Sequence, residues 1–286
     1  MALLACCMLV GNLKLNVIMK IKLVFSVLFL CLVTGVNAAK VDTVMVHSDA
    51  MNKGVQTIIV TPNGNQNYPV VYLLHGHGGN AKAWINIKPD LPQIADEKGI
   101  IFVCPDGKNS WYWDSPKNLA YRYETFISDE LVKYVDGHYK TVTDRKGRAI
   151  TGLSMGGHGA MWNALRHKDI FGAVGSTSGG LDIRPFPKNW NMSEQLGEES
   201  DNRTVWDAHT VINQIANLRN GDLAIIFDCG YEDFFFGVNN DFHNKLLKNK
   251  IDHDFIVRPG GHTGEYWSNA IDYQILFFSK FFNKNR

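Results

Sequence analysis

The sequence predicts an α/β fold with a mainly parallel central sheet and helices on both faces. Short β-branched runs alternate with segments of helical spacing from residue 39 to residue 286. Several of these runs are apolar throughout, as expected for strands that are covered on both faces. The chain has 286 residues, of which 45% are hydrophobic, and the range 39–286 contains no internal repeat or low-complexity segment. A single domain over 39–286 is therefore expected.

Six runs predict the main strands of this sheet. In chain order they are TIIVTP (57–62), YPVVYLLH (68–75), IIFVCP (100–105), GRAITGLS (147–154), FGAVGSTSG (171–179) and LAIIFDCG (223–230). The short apolar run 255–257 predicts another strand near the C-terminus. The stretch 41–60 is expected to add an antiparallel edge.

Helical spacing marks six segments between and after these strands. They are 91–99, 123–139, 156–168, 211–218, 242–250 and 266–282. The stretch 181–204 has no strong period, contains Pro185 and Pro187, and is too long for a simple connection. We expect it to form a small cap insertion beside the functional site.

The first 38 residues have the layout of a secretory signal peptide with an upstream extension. From Met19, which is the expected start, two lysines precede an apolar run from Leu23 to Val33, and small residues follow up to Ala38. The apolar run is shorter than the roughly 20 residues that a membrane-spanning helix needs. Cleavage after Ala38 would leave no stable membrane anchor and predicts a secreted or periplasmic protein.

Charge and cysteine content exclude some classes of protein. The formal net charge is +1 and no basic run is interleaved with aromatic residues, so no nucleic-acid partner is expected. Beyond the predicted signal peptide only Cys104 and Cys229 remain, each after an apolar run. Export permits a disulfide, but two buried thiols are the favoured interpretation.

A candidate nucleophile, Ser154, lies in the sequence GLSMG. A predicted strand ends just before it and a predicted helix begins just after it, which is the context that a G-x-S-x-G elbow requires. Gly152 and Gly156 remove side chains that would collide at a sharp turn. The alternative is a glycine-rich turn with an incidental serine. A phosphate-binding loop is disfavoured because no Gly-Lys-Ser/Thr follows.

A nucleophilic serine needs a histidine base and an acid that orients it. In an α/β fold with a nucleophile elbow, these are expected in the chain order serine, acid, histidine. His262 is the favoured base because it lies in a glycine-containing loop directly after a predicted strand. The acid is expected just past the strand that ends near Gly230. Asp228 lies within that strand, and the pattern alone leaves Glu232 and Asp233 equally placed.

The glycine-rich loop of LLHGHGG follows an early strand. Such a loop can supply one of two backbone N–H donors for a developing oxyanion, and the expected donors are those of His77 and Met155. His75 and His77 also permit a metal site. That interpretation is disfavoured because no further ligand cluster completes it, and neither a metal nor a cofactor is expected.

Six motifs together resemble the esterase D-like branch of the α/β hydrolases. In order they are LLHGHGGNAKAW, PDGKNSWYWDS, YETFISDEL, GLSMGGHGAM, DCGYEDFFF and GGHTGEYW, and the resemblance covers nearly all of 42–282. It implies the α/β-hydrolase fold, with Ser154 as nucleophile, His262 as base and Asp233 rather than Glu232 as the acid. The predicted export signal departs from S-formylglutathione hydrolases, which are cytosolic relatives within this branch.

The resemblance also implies a substrate pocket lined by the segment 109–116. There Trp111 and Trp113 are expected to stack against a sugar ring or an aromatic acyl group, although packing at the base of the loop is equally compatible. Trp267 either shapes the site or anchors the last helix. The expected activity is a secreted serine esterase acting on acetyl or feruloyl esters of polysaccharides, or on small acyl esters. An acyltransferase, a glutathione thioesterase, a metal-dependent hydrolase and an inactive carbohydrate-binding protein are the alternatives.

Overall fold

The computed structural model describes residues 39–285 and contains an eight-stranded sheet. The strands are β1 (Lys40–Ser48), β2 (Lys53–Thr61), β3 (Val70–Leu74), β4 (Ile101–Pro105), β5 (Arg148–Gly152), β6 (Ala173–Thr177), β7 (Ala224–Gly230) and β8 (Asp254–Arg258). Their spatial order is β1-β2-β4-β3-β5-β6-β7-β8. Every predicted strand is present. The signal-peptide prediction for residues 1–38 lies outside the described residues.

Six of the strands are parallel, and the remaining two form an antiparallel hairpin at one edge. β1 pairs with β2 from Lys40 opposite Thr61 to Ser48 opposite Lys53, and β2 joins the parallel strands through an antiparallel pairing with β4. The parallel set runs from β4 to β8. The mainly parallel sheet and its antiparallel edge therefore agree with the sequence-based expectation.

Ten α-helices connect or follow these strands within residues 39–285. They are α1 (Ala83–Ile87), α2 (Leu91–Lys98), α3 (Tyr123–Thr125), α4 (Leu131–His138), α5 (Met155–Arg166), α6 (Met192–Leu196), α7 (Arg203–Ala208), α8 (Val211–Gln214), α9 (Phe236–Lys248) and α10 (Gly264–Lys284). A π-helical turn, Phe126–Glu130, joins α3 to α4. α9 begins six residues before the predicted segment, and α10 begins where the Thr263 hydroxyl accepts the N–H of Tyr266. None of these helices is long and apolar enough to cross a membrane.

The sheet is covered on both faces, which explains its apolar strands. In β3, Val70, Tyr72 and Leu74 pack into one core layer, while Val71 and Leu73 pack into the other. This alternation follows from the two-residue period of a strand. Helices α4, α5 and α9 contribute to the first layer and α1, α2 and α10 to the second. Cys104 and Cys229 are buried free thiols, as the sequence indicated.

The stretch 181–204 extends from the end of β6 and is an irregular insertion, as its lack of period predicted. It starts at the buried Leu181 and includes helix α6 before it reaches α7. Trp190 and Asn191, just before α6, both have left-handed backbone angles, with φ of 52° and 55°. Such angles are uncommon for residues other than glycine and are concentrated at functional sites.

Because carboxyl ends of parallel strands meet at one edge of a sheet, the loops after β3, β5, β7 and β8 lie together. These four loops carry His77, Ser154, Asp233 and His262 respectively. The fold therefore places the predicted site residues at one edge, although they are up to 185 positions apart in the chain (from 77 to 262).

Candidate active site

Ser154 occupies a sharp turn between β5 and α5. Its backbone angles are φ 55° and ψ −120°, outside the regions that a serine ordinarily adopts. The turn is possible because Gly152 and Gly156 lie against neighbouring backbone: a Cβ atom at Gly156 would be 2.2 Å from the carbonyl oxygen of Leu74. The N–H of Ser154 donates to the carbonyl of Thr177 at 2.9 Å. This packing holds the strained serine at the end of the strand.

His262 lies in the loop between β8 and α10, and its imidazole contacts the serine. The distance from His262 Nε2 to Ser154 Oγ is 2.8 Å, which is a hydrogen bond. Close backbone approach supports the loop, because a Cβ atom at Gly230 would be 2.0 Å from the carbonyl oxygen of Gly260. Gly260 itself has a φ of 121°, a conformation that favours glycine. The glycines before His262 thus fit its loop to the end of β7.

Asp233 completes the chain of hydrogen bonds. Its Oδ2 is 2.8 Å from His262 Nδ1, and its Oδ1 accepts the N–H of Phe235 at 2.8 Å. The Asp233 side chain is fully buried. Glu232, by contrast, is exposed, and its N–H donates to the carbonyl of Gly260. Of the two acids that the pattern alone left open, the structure brings Asp233 to the imidazole.

Asp228 is a second buried carboxylate nearby, but it belongs to a different network. It lies within β7, where its Oδ2 accepts hydrogen bonds from Gln274 Nε2 at 2.7 Å and from Thr177 Oγ1 at 3.0 Å. Burial raises the pKa of Asp228 to about 6, and the hydrogen bond from Gln274 and the charge of Arg258 only partly oppose this shift. This carboxylate therefore connects β7 to α10 and does not contact the imidazole of His262.

Of the two predicted oxyanion donors, Met155 follows Ser154 directly and His77 lines the same cleft as Ser154. Met155 is the first residue of α5, where backbone N–H groups lack intrahelical acceptors and the helix dipole is positive. His77 lines the same cleft as Ser154, in a turn in which Gly79 N–H donates to the Gly76 carbonyl. Burial lowers the pKa of the His77 imidazole, which favours its neutral form.

His75 is occupied in holding this loop. Its Nε2 accepts the N–H of Gly107 at 2.9 Å, so Nδ1 carries the proton and donates to the Gly76 carbonyl at 2.7 Å. The residue is almost fully buried, with 1% of its surface exposed. Both ring nitrogens are therefore used within the protein.

Ser154 and His262 open into a cleft of about 460 Å³. Its lining residues are Gly76, His77, Gly78, Gly79, Ala83, Ile87, Leu153, Ser154, Trp190, Phe234, His262 and Trp267. Phe234 lies over the imidazole with ring centroids 4.3 Å apart, and Trp267 meets it edge-on at 4.9 Å. Trp190 stacks on Phe234 at 5.6 Å. The approach to the serine is thus aromatic and uncharged.

Trp267 lines the cleft, whereas the structure places Trp111 and Trp113 elsewhere. Both are buried, 1% and 0% exposed, and they stack on each other with centroids 5.7 Å apart and meet His158 edge-on. The physical reason lies in the backbone. Trp111 and Tyr112 both have positive φ, 55° and 61°, and this turn directs the side chains of Trp111 and Trp113 inward. This corrects the expected substrate contact and agrees with the alternative of packing at the base of the loop.

Two aromatic lining residues, Trp190 and Phe234, were missed by sequence reasoning. Phe234 is 50% exposed and follows Asp233 directly in the chain. Its position next to the predicted acid could therefore have indicated that it lies near the site. Trp190 lies in the aperiodic insertion 181–204, where no local pattern indicates which side chain faces the cleft.

Comparison with known proteins decides the family. Residues 48–278 match the esterase family described as "Putative esterase". The chain belongs to this family. It is a carboxylic ester hydrolase with the α/β-hydrolase fold, and the matched range includes Ser154, Asp233 and His262.

Proteins that are similar to this esterase in sequence or structure have several different names. An acetyl esterase of Caldicellulosiruptor saccharolyticus is 24% identical over 76% of this chain and 85% of its own. A diacylglycerol acyltransferase/mycolyltransferase of Mycobacterium leprae is 26% identical over 81% of each chain. A solved structure of a ferulic acid esterase is 29% identical, covers 86% of this chain and 99% of its own, and superposes with a TM-score of 0.73.

Proposed function

We propose that Ser154 is the nucleophile of a serine esterase that works through an acyl-enzyme. His262 Nε2 takes the proton from Ser154 Oγ as the oxygen attacks the ester carbonyl, and Asp233 holds the protonated imidazole. The N–H groups of His77 and Met155 stabilise the tetrahedral oxyanion. His262 then donates its proton to the departing alcohol. Water, deprotonated by the same imidazole, releases the acid and restores Ser154.

One observation carries this proposal: the unbroken series of 2.8 Å contacts from Asp233 through His262 to Ser154. The two ring nitrogens of His262 are shared between a buried carboxylate and the hydroxyl, so the tautomer with the proton on Nδ1 leaves Nε2 free to accept. The strained turn at Ser154 supports the same role, because strain of this kind is retained where it serves a site.

We further propose that the substrates are acetyl or feruloyl esters of polysaccharides, or small acyl esters. The uncharged aromatic lining formed by Trp190, Phe234 and Trp267 suits an apolar or aromatic acyl group. The relatives named acetyl esterase and ferulic acid esterase support the same two acyl groups.

The test measures hydrolysis of 4-nitrophenyl acetate, 4-nitrophenyl butyrate, methyl ferulate and a glutathione thioester by the wild type and by Ser154→Ala. We expect the wild type to hydrolyse at least one oxygen ester. Ser154→Ala should lower kcat by roughly 10⁴-fold or more while its far-ultraviolet circular dichroism is unchanged. Retention of activity in Ser154→Ala would contradict the proposed nucleophile, and a clear preference for the thioester would contradict the proposed substrates.

We also propose that the protein is exported and that residues 1–38 are removed. The basic start, apolar run and small residues of 19–38 support this proposal. N-terminal sequencing of protein recovered from the periplasm or the medium should give Ala39 as the first residue. Recovery of the full chain from the cytoplasm alone would contradict export.

Acyl transfer is a second candidate, favoured by the similarity to the mycobacterial acyltransferase over 81% of both chains. The same acyl-enzyme would be resolved by an alcohol in place of water. Product analysis in the presence of a sugar acceptor separates the two: free acid indicates hydrolysis and an acylated sugar indicates transfer.

A further inference from the structure

A second depression of about 540 Å³ adjoins the active-site cleft. It is lined by Asn86, Ile87, Lys88, Gly264, Glu265, Ser268, Asn269 and Asp272, and we call it the polar groove. Ile87 lines both depressions, and on α10 Trp267 lines the cleft while Ser268 lines the groove. The two depressions therefore adjoin each other at Ile87 and at the start of α10.

Lys88 is the only cation among the described residues that line the polar groove, and its charge is already neutralised. Lys88 Nζ is 3.1 Å from Asp90 and 3.0 Å from Asp272. Burial lowers the pKa of Lys88, but the hydrogen bonds and charges of Asp272 and Asp90 outweigh it and raise the pKa. With Glu265 added, carboxylates outnumber ammonium groups around the groove. An anionic ligand is disfavoured there, which includes glutathione with its two carboxylates.

The side chains along the wall of the groove have donors and acceptors that are not used within the protein. Asn86, Glu265 and Asn269 are exposed and Ser268 is half-buried. None of these four side chains forms a hydrogen bond to another residue in the described range 39–285. Two amides, a hydroxyl and a carboxylate offer donors and acceptors in close proximity. This combination matches the hydroxyl groups of a neutral sugar.

We propose that the polar groove binds the polyhydroxylated, uncharged alcohol portion of the ester, and this inference rests on the proposed function of the cleft. The alcohol must leave from beside His262, because the imidazole protonates the departing oxygen. Gly264 lies two residues after His262 and lines the groove. A sugar seated in the groove thus has its ester oxygen next to the imidazole and its acyl group among the aromatic residues of the cleft.

The experiment uses two pairs of substrates, and the two members of each pair share one acyl group. The first pair is 4-nitrophenyl acetate and an acetylated xylo-oligosaccharide; the second is methyl ferulate and a feruloylated arabino-oligosaccharide. Values of kcat/KM are measured for the wild type, for the double variant Asn86→Ala/Asn269→Ala and for the control Gln93→Ala. Gln93 is an exposed amide on α2 outside the groove. Ratios of variant to wild type cancel the different reactivities of the alcohols.

We expect the double variant to lose about 10-fold in kcat/KM on the sugar ester, because it removes two amides that hydrogen-bond the sugar hydroxyl groups. The kcat/KM of the double variant on the simple ester should stay within about 2-fold of wild type. The kcat/KM of Gln93→Ala should do so on both the simple ester and the sugar ester. An equal loss on both substrates, no loss on the sugar ester, or no wild-type hydrolysis of sugar esters would overturn the inference. Activity on the simple esters that depends on Ser154 would still uphold the proposed function, and its absence would defeat that function separately.

Discussion

The site consists of two regions that are built differently. The catalytic floor, Ser154, Asp233 and His262, comes from strand ends and is held by buried hydrogen bonds and close backbone contacts. The aromatic rim, Trp190, Phe234 and Trp267, lies above it and is held by ring contacts, with Phe234 50% exposed. In the proposed mechanism the floor contacts the reacting atoms of any ester, whereas the rim contacts the groups attached to those atoms.

Because of this difference, we expect the floor to determine the rate of turnover and the rim to determine the preference between esters. In the proposed mechanism every ester passes through the same acyl-enzyme, so changes in the floor should lower turnover of every ester by similar factors. Changes in the rim should alter the ratio of activities between esters, because they act on binding of one acyl group relative to another. Each of the following variants tests whether a residue affects the turnover of all esters or the preference between them.

The largest effect is expected at the acid of the floor. Asp233→Asn should lower kcat roughly 10⁴-fold on acetyl and feruloyl esters alike, because an amide favours the wrong tautomer of His262. Steady-state kinetics on both substrates measures it. Glu232→Gln is the matched control, and its kcat should stay within about 3-fold of wild type because Glu232 is exposed. A reversed outcome would assign the acid to Glu232.

The turn that holds Ser154 should be nearly as sensitive, but through folding. Gly156→Ala places a Cβ atom 2.2 Å from the Leu74 carbonyl oxygen and should lower the free energy of unfolding by about 3 kcal/mol. Urea denaturation measures this loss. Gly137→Ala in α4 meets nothing within 4 Å and should instead raise stability by about 0.5 kcal/mol. Equal stabilities of the two variants would show that the turn is not tightly packed.

A moderate and selective effect is expected at the rim. Trp190→Ala should lower kcat/KM for methyl ferulate about 10-fold, since an aromatic contact contributes on the order of 1 kcal/mol. For 4-nitrophenyl acetate the change should stay within about 3-fold. Leu119→Ala, a change at a side chain 76% exposed and outside the cleft, serves as the control. A uniform loss on both esters would place Trp190 with the floor.

The smallest effect concerns Asp228, which lies near the floor without belonging to it. Its folded-state pKa of about 6 lies above its ordinary value, so the folded protein binds this proton more tightly than the unfolded chain does. Its contribution to stability is therefore greatest below about pH 4 and declines as the pH rises through 6. Asp228→Asn should remove this decline, so that the variant gains on the order of 1 kcal/mol relative to wild type between pH 4 and pH 7.

Urea denaturation at both pH values measures that difference, and kcat of Asp228→Asn should remain within about 3-fold of wild type. A pH-independent difference in stability would show that Asp228 stays ionised in the folded protein. A large loss of kcat would extend the floor to this second carboxylate.

The floor was largely predictable from the sequence because its signals are local. Ser154 lies between a strand and a helix with glycines on both sides, and His262 follows a strand in a glycine-containing loop. The choice of Asp233 over Glu232 needed the family resemblance, since both lie in the same loop. Which of the two faces the imidazole depends on how that loop packs against Gly260, and that contact is distant in the chain.

The rim could not be predicted in this way. Trp111 and Trp113 follow β4 at the edge of the sheet that carries the site. The left-handed backbone of Trp111 and Tyr112 nevertheless turns both tryptophan side chains into the core. Trp190 occupies the cleft instead, and its position depends on packing of the insertion 181–204 against Phe234 and Phe235. Composition shows that 12% of the residues are aromatic, but only tertiary packing determines which of them line the site.

The most direct test of the account is peptide mass mapping after treatment with a fluorophosphonate, which labels serines activated as nucleophiles. We predict one adduct, on the peptide that contains Ser154, in the wild type, and its loss in His262→Ala although Ser154 is still present. An adduct on another serine, or undiminished labelling of Ser154 in His262→Ala, would contradict the claim that His262 activates this hydroxyl.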